Sequence, residues 1–270
     1  DFWFEGDPPI TSTQSDFLFV ILHELIHGLG FTSSWDDYLN DIPEALTPDL
    51  GSSTTSSGKE YQFIEYAFDQ YLVIIPQNKN MTSYASQENL YSIGVGSKYS
   101  NIDEFAQGFV DSQQYNVAKN LFTYAVTANA MGFLPSGTNN LKDAVILETS
   151  LKPYQQGSSI SHVSYTKYTN TSDFLMRFLQ DRGVSLEDAI LAGGNYSGGP
   201  IGPNLKLVLE TLGYATQDNP NPYRPLPANS TTNTLTSTSD APMSNLFYSS
   251  MRMQSSLVER LTLTRAQNDW

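Results

Sequence analysis

The sequence predicts an α+β protein, on three observations. A strongly apolar stretch near the start, residues 17–29, has the length of a helix rather than of a strand. Segments dense in aromatic and β-branched residues, at 61–75 and 144–148, are of strand length. From residue 173 onward, short stretches with helical apolar spacing alternate with Gly-, Pro- and Asn-rich runs, which predicts a mostly helical and irregular C-terminal part.

Taken in order, residues 1–12 read as an irregular lead-in containing Pro8-Pro9. A helix is expected over about 13–29, with Thr13 as N-cap and Asp16 three residues on in the manner of a capping box. Gly28 and Gly30 suit its end or a sharp turn. Apart from His23, Glu24 and His27, the segment 17–29 is apolar all round, so the helix is expected to be buried; it is too short to span a membrane. Residues 32–60 read as loop, with Pro43, Pro48 and a Ser/Thr-rich stretch at 51–58 expected to be mobile. The segment 61–75 reads as strand or short helix and ends at Pro76. A helix is expected over 113–131, a strand over 144–148, an irregular run over 151–157, and short helices over 173–179, 186–191 and 204–212, the last stopping at Gly213. Residues 216–240, rich in Pro, Asn, Ser and Thr, read as a linker or surface wrap, and 241–270 as a terminal segment packed on the domain. There is no internal repeat.

The length of 270 residues allows one large domain or two small ones. With 28 acidic against 14 basic residues, the formal net charge of -14 disfavours nucleic acid and anionic membrane surfaces as partners. The absence of cysteine excludes disulfides and thiolate chemistry. The chain begins at Asp1 with no visible signal peptide and reads as a mature or processed product, expected to be extracellular. The sequons at Asn80, Asn170, Asn195 and Asn229 permit glycosylation in that setting.

The chemistry is concentrated in His23-Glu24-Leu25-Ile26-His27-Gly28-Leu29-Gly30-Phe31, an H-E-x-x-H segment. Residues four apart lie above one another on a helix, so His23 and His27 can grip one metal ion, with Glu24 beside them to take a proton from a metal-bound water. Buried imidazoles need partners, and a metal ion serves both at once. Catalytic zinc usually takes three protein ligands and leaves one position for water. The chain has only three histidines, so the count points to His162, in Gly157-Ser158-Ser159-Ile160-Ser161-His162, as the third ligand.

His23, Glu24, His27 and Gly30 match H-E-x-x-H-x-x-G, and the chain here resembles the metzincin zinc endopeptidases. Ser33 stands where the contiguous metzincin motif has its third histidine. The departure is similar to the leishmanolysin-like branch and to related secreted microbial zincins, in which a long insertion separates the helix glycine from a Ser-His ligand and a Leu-Met turn. Ser161-His162, Leu175-Met176 and Leu212-Gly213-Tyr214 look like those elements, and the resemblance spans about residues 16–214.

The resemblance implies a zincin-like catalytic domain over 1–215, with an insertion at about 32–157 and the His-bearing helix packed on a small mixed sheet. It implies one zinc ion on His23, His27 and His162, Glu24 as general base, Met176 beneath the imidazoles, and Tyr165 or Tyr168 as an aid to the oxyanion. The activity implied is hydrolysis of peptide bonds in a protein or peptide substrate. The alternative is a catalytically silent zincin-fold surface or binding protein. Only 22 residues precede His23, fewer than the N-terminal subdomain of metzincins needs. Either a companion N-terminal fragment completes the fold, or the insertion supplies the strands.

Overall fold

The chain opens with a short parallel pair, β1 (Phe2–Trp3) against β2 (Ser15–Asp16), and α1 (Phe17–Gly28) rises directly from β2. The computed structural model describes residues 1–56, 58–95 and 99–222. The helix starts four residues after the expected boundary at Thr13. Its cap is Asp16, whose Oδ1 accepts the Phe19 N–H at 3.1 Å while Oδ2 accepts the Leu186 N–H at 2.8 Å. A buried carboxylate at the positive end of the helix is a stronger cap than the Thr13 hydroxyl, and residues 11–14 are spent on a turn closed by Gln14 N–H to Thr11 O. Nor is the helix buried all round, as its composition predicts. Phe19 and Ile26 are buried, whereas Phe17, Leu18, Ile21, Leu25 and Leu29 are exposed, Leu25 at 57 %. An all-apolar helix specifies no face by pattern; packing decides, and here it covers one stripe.

The low-complexity stretch at 51–58 is not a free loop but the tip of a hairpin, β3 (Asp49–Thr55) against β4 (Gly58–Ile64), in register from Asp49↔Ile64 to Thr55↔Gly58. Strand alternation in β4 buries Tyr61 and Phe63 on one face. The expected element at 61–75 is therefore both kinds in turn: the end of β4, a 3-10 turn at Phe68–Tyr71, and β5 (Leu72–Ile74). Then come β6 (Lys79–Asn80), α2 (Thr82–Val95), α3 (Ile102–Val110), capped by the Asn101 side chain, and α4 (Tyr115–Ala125). Phe105 and Phe109 of α3, Tyr91 of α2 and Tyr115 of α4 close over Tyr61 and Phe63 to form an aromatic core of their own. The helix expected over 113–131 stops at Ala125; Asn129 has a left-handed φ of 60° and Met131 opens β7 (Met131–Phe133).

With β8 (Val145–Ile146), the four-stranded sheet has the order β6-β5-β7-β8. Every pairing in it is antiparallel, where a mixed sheet was expected. Antiparallel neighbours need no crossover helix, and no α-helix lies in the links β5–β6 and β7–β8. All four strands come from residues 32–157. The sheet meets the turn that follows α1 through aromatic contacts: Phe31 packs on Phe68 at 4.9 Å between ring centroids, and Phe68 on Phe133 at 4.8 Å, within the core that holds Phe19 and Ile26.

Beyond β8 lie α5 (Tyr165–Tyr168), α6 (Leu186–Ala192) with a Ser185–Asp188 capping box, and α7 (Pro203–Thr211). The short helix expected over 173–179 is absent. Its backbone pairs instead with the segment around Val163: Met176 O accepts the Val163 N–H, and Val163 bridges Arg177. The linker expected at 216–240 lies outside the described residues beyond 222, and the terminal segment 241–270 lies outside them entirely. Among the described residues, no helix is long and apolar enough to cross a membrane.

Candidate metal centre

The end of α1 shapes the first part of the site. Gly30 adopts φ 99° directly after the C-cap Leu29, and two bonds close the turn, Gly30 N–H to His27 O at 2.9 Å and Phe31 N–H to Ile26 O at 3.2 Å. This is the Schellman arrangement, with glycine at the left-handed position. The reversal brings the Phe31 carbonyl back to His27 Nδ1 at 2.6 Å. The same logic holds at the other two imidazoles. His23 Nδ1 donates to Leu175 O at 2.8 Å and His162 Nδ1 to Ser158 O at 2.9 Å.

A carbonyl can only accept, so each neutral imidazole carries its proton on Nδ1 and presents a bare lone pair at Nε2. The three Nε2 atoms converge: His23 and His27 are 3.0 Å apart, and each is 3.2 Å from His162. Three acceptors facing one another have no hydrogen bond to make, and the arrangement is repulsive unless a cation sits among them. Tetrahedral nitrogen donors at the zinc distance of about 2.0–2.1 Å are spaced by about 3.3 Å, close to what these residues offer. Among the described residues, His23, His27 and His162 are the group of side chains close enough together that they could hold a metal ion. Burial pushes all three imidazoles below their ordinary pKa, His27 to about 3, with mutual repulsion adding to the effect at His27 and His162. They stay neutral at pH 7, the form that ligates a metal.

His162 reaches the site on a loop pinned from both sides. Glu148 N–H donates to His162 O and Ile160 N–H to Glu148 O, both at 2.8 Å. The buried Glu148 carboxylate accepts the Ser150 N–H and the Tyr165 N–H, each at 2.8 Å. Ile160, fully buried, sits at φ 67°, a left-handed conformation that costs a β-branched residue about 1–3 kcal/mol. It turns the chain so that Ser158 O faces the His162 ring.

Glu24 is half-buried on α1, one residue from His23. Met176 is buried at 1 % exposure in the core cluster with Phe174 and Val163, and the contact of the Leu175–Met176 turn with a histidine is main-chain, through Leu175 O. Both tyrosines have their hydroxyls engaged elsewhere: Tyr168 is in the core and accepts the Ile146 N–H at 3.0 Å, and Tyr165 donates to Asp181 at 2.9 Å beneath the Arg177 guanidinium. Asn80, Asn170 and Asn195 are exposed, the last two at positive φ; Asn229 lies outside the described residues. The three carbonyl partners of the imidazoles escaped sequence reasoning because a main-chain acceptor carries no residue-type signal.

An uncharacterized protein of Schizosaccharomyces pombe, PB7E8.01, is 26 % identical over 224 residues, covering 75 % of this chain and 39 % of the yeast protein. The chain thus spans about two-fifths of the length of that relative. No solved structure matches. The match to a family model runs from residue 1 to residue 248, through both the helix motif and the His162 loop, so the chain belongs to the SPBPB7E8-like family.

Proposed function

We propose that this chain is a zinc-dependent endopeptidase of the metzincin type, with His23, His27 and His162 as the ligands and Glu24 as the general base. The observation that carries the reading is the convergence of three unprotonated Nε2 atoms within 3.0–3.2 Å, each imidazole fixed from behind by a main-chain carbonyl. Zinc held there supplies Lewis acidity, lowering the pKa of a water towards neutrality and polarising the scissile carbonyl. Glu24 takes the proton from the attacking water and returns it to the departing amine, with no covalent acyl-enzyme. The three Nδ1–H···O=C bonds lock the tautomers and ring orientations, so no reorganisation is needed when the site is loaded. With all three histidines occupied in this way, none remains to activate a serine.

Glu24→Gln tests the assignment. A general base contributes about 10²–10⁴-fold to the rate, so cleavage of a mixed peptide library by the zinc-loaded variant is expected to drop at least about 100-fold while zinc content stays at the parent level. Parent-level cleavage by the variant contradicts the role of Glu24. A zinc-loaded parent that cleaves nothing in the library supports the catalytically silent reading instead.

A further inference from the structure

The first residues after α1 hold a polar link that the proposed chemistry does not use directly. Ser33, three residues beyond Gly30, is buried at 3 % exposure. Its hydroxyl donates to Asp69 Oδ1 at 2.7 Å and accepts the Trp35 N–H at 3.0 Å; its own N–H donates to Ser161 Oγ at 3.1 Å. Asp69 is fully buried, and its Oδ2 accepts the Ser34 N–H at 3.0 Å and the Tyr66 N–H at 2.7 Å. It stands on the 3-10 turn Phe68–Tyr71, which the Phe68 ring fixes between Phe31 and Phe133. One rigid carboxylate therefore grips the 33–34 turn. Two residues before that turn, Phe31 O holds His27; across from it, Ser161 adjoins His162. Burying a carboxylate is costly unless hydrogen bonds offset it, and here three do, from Ser33, Ser34 and Tyr66.

Resting on the three-histidine reading above, we propose that Asp69 is a positioning residue for the metal site, acting through Ser33 to hold the Phe31 carbonyl against His27 and the Ser161 loop that carries His162. The region between the helix glycine and His162 thus does more than separate two ligands: it contributes the carboxylate that registers one ligand loop against the other. A second buried carboxylate does related work on the same loop, Asp36 Oδ2 accepting the Gly157 N–H at 3.1 Å next to Ser158, the residue whose carbonyl holds His162.

The test is the zinc dissociation constant of the full chain, with the visible spectrum of the cobalt-loaded form, for the parent, Asp69→Asn, Ser33→Ala and His162→Ala. Phe105→Leu, in the separate aromatic core, is the control for general loosening. Partners behind metal ligands typically govern affinity by about 10–100-fold. Asp69→Asn and Ser33→Ala are therefore expected to weaken zinc by about 10-fold or more and to alter the cobalt spectrum. Phe105→Leu is expected to lower the melting temperature while leaving affinity and spectrum at parent values. If Asp69→Asn fails to fold, Ser33→Ala decides. Parent affinity and spectrum in a folded Asp69→Asn or Ser33→Ala overturn the positioning role, as does a loss that Phe105→Leu reproduces. If the parent binds no zinc, or binds it as tightly as His162→Ala does, the three-histidine reading itself is what fails, and the positioning role falls with it.

Discussion

Gly30 shows how one backbone angle fixes the hydrogen-bond partner of an imidazole. Its φ of 99° closes the turn that returns Phe31 O to His27, and an added Cβ would meet nothing nearer than Leu212 Cδ1, at 3.8 Å. The demand for glycine is thus conformational and not steric. Gly30→Ala is expected to cost about 1–2 kcal/mol in urea unfolding, together with weaker zinc retention; an unchanged midpoint contradicts it. At this scale the sequence was readable wherever side-chain chemistry was sparse. Three histidines, two of them four apart, leave one way to complete a three-imidazole site. Ser33, Asp69 and the carbonyls of Phe31, Ser158 and Leu175 were not readable: serine, aspartate and main chain are common everywhere, and their role exists only once residues far apart in the chain are folded together. The Tyr165 and Tyr168 hydroxyls, which the resemblance implies as an aid to the oxyanion, are bonded to Asp181 and to the Ile146 N–H.

The elements differ in what pattern alone could locate. α6 and α7 carry amphipathic stripes and clear stops, and they fall where the spacing predicts, at Leu186–Ala192 and Pro203–Thr211. The hairpin β3–β4 was hidden because its turn region is Ser, Thr and Gly, which reads as loop until Tyr61 and Phe63 find α3 to pack on. α1 is the opposite case: its existence was plain and its exposed face was not. Leu25 and Ile26 are neighbours in sequence with opposite environments, 57 % and 5 % exposed. Leu25→Ser is therefore expected to change unfolding free energy by no more than about 0.5 kcal/mol, whereas Ile26→Ala costs about 2–5 kcal/mol. Equal effects in denaturant titrations contradict the packing of α1.

At the scale of the fold, two sets of buried groups among the described residues pull stability in opposite directions with pH. Burial raises Asp36 and Asp69 to about 6; burial and the Asp69 charge raise Glu65 to about 7. Burial, with the Glu65 charge, raises Glu88 well above the usual range, and neither Glu88 oxygen has a hydrogen-bond partner. These carboxyls keep protons that the unfolded chain has released, so their stabilising contribution is full below about pH 4 and fades as pH climbs through the raised values. The histidines act the other way: the unfolded chain takes up protons below about pH 6.5 that the folded imidazoles refuse, so stability falls on acidification. Above pH 7 the histidine contribution is silent. The zinc-free protein is then expected to lose stability as pH rises further, by at most about 1.4 kcal/mol per pH unit for one proton, and Glu88→Gln is expected to flatten the loss. An identical slope in parent and variant contradicts the assignment to Glu88.

His23 and His162, 139 positions apart in the chain, are proposed to complete one metal site. The most direct test is the metal content of the purified protein by elemental analysis, alongside His162→Ala. About one zinc per chain in the parent, as expected for a single three-histidine site, and little in the variant are the expected results. Equal zinc in both means that the third ligand lies elsewhere, and no metal in either returns the H-E-x-x-H helix to coincidence; both contradict the account.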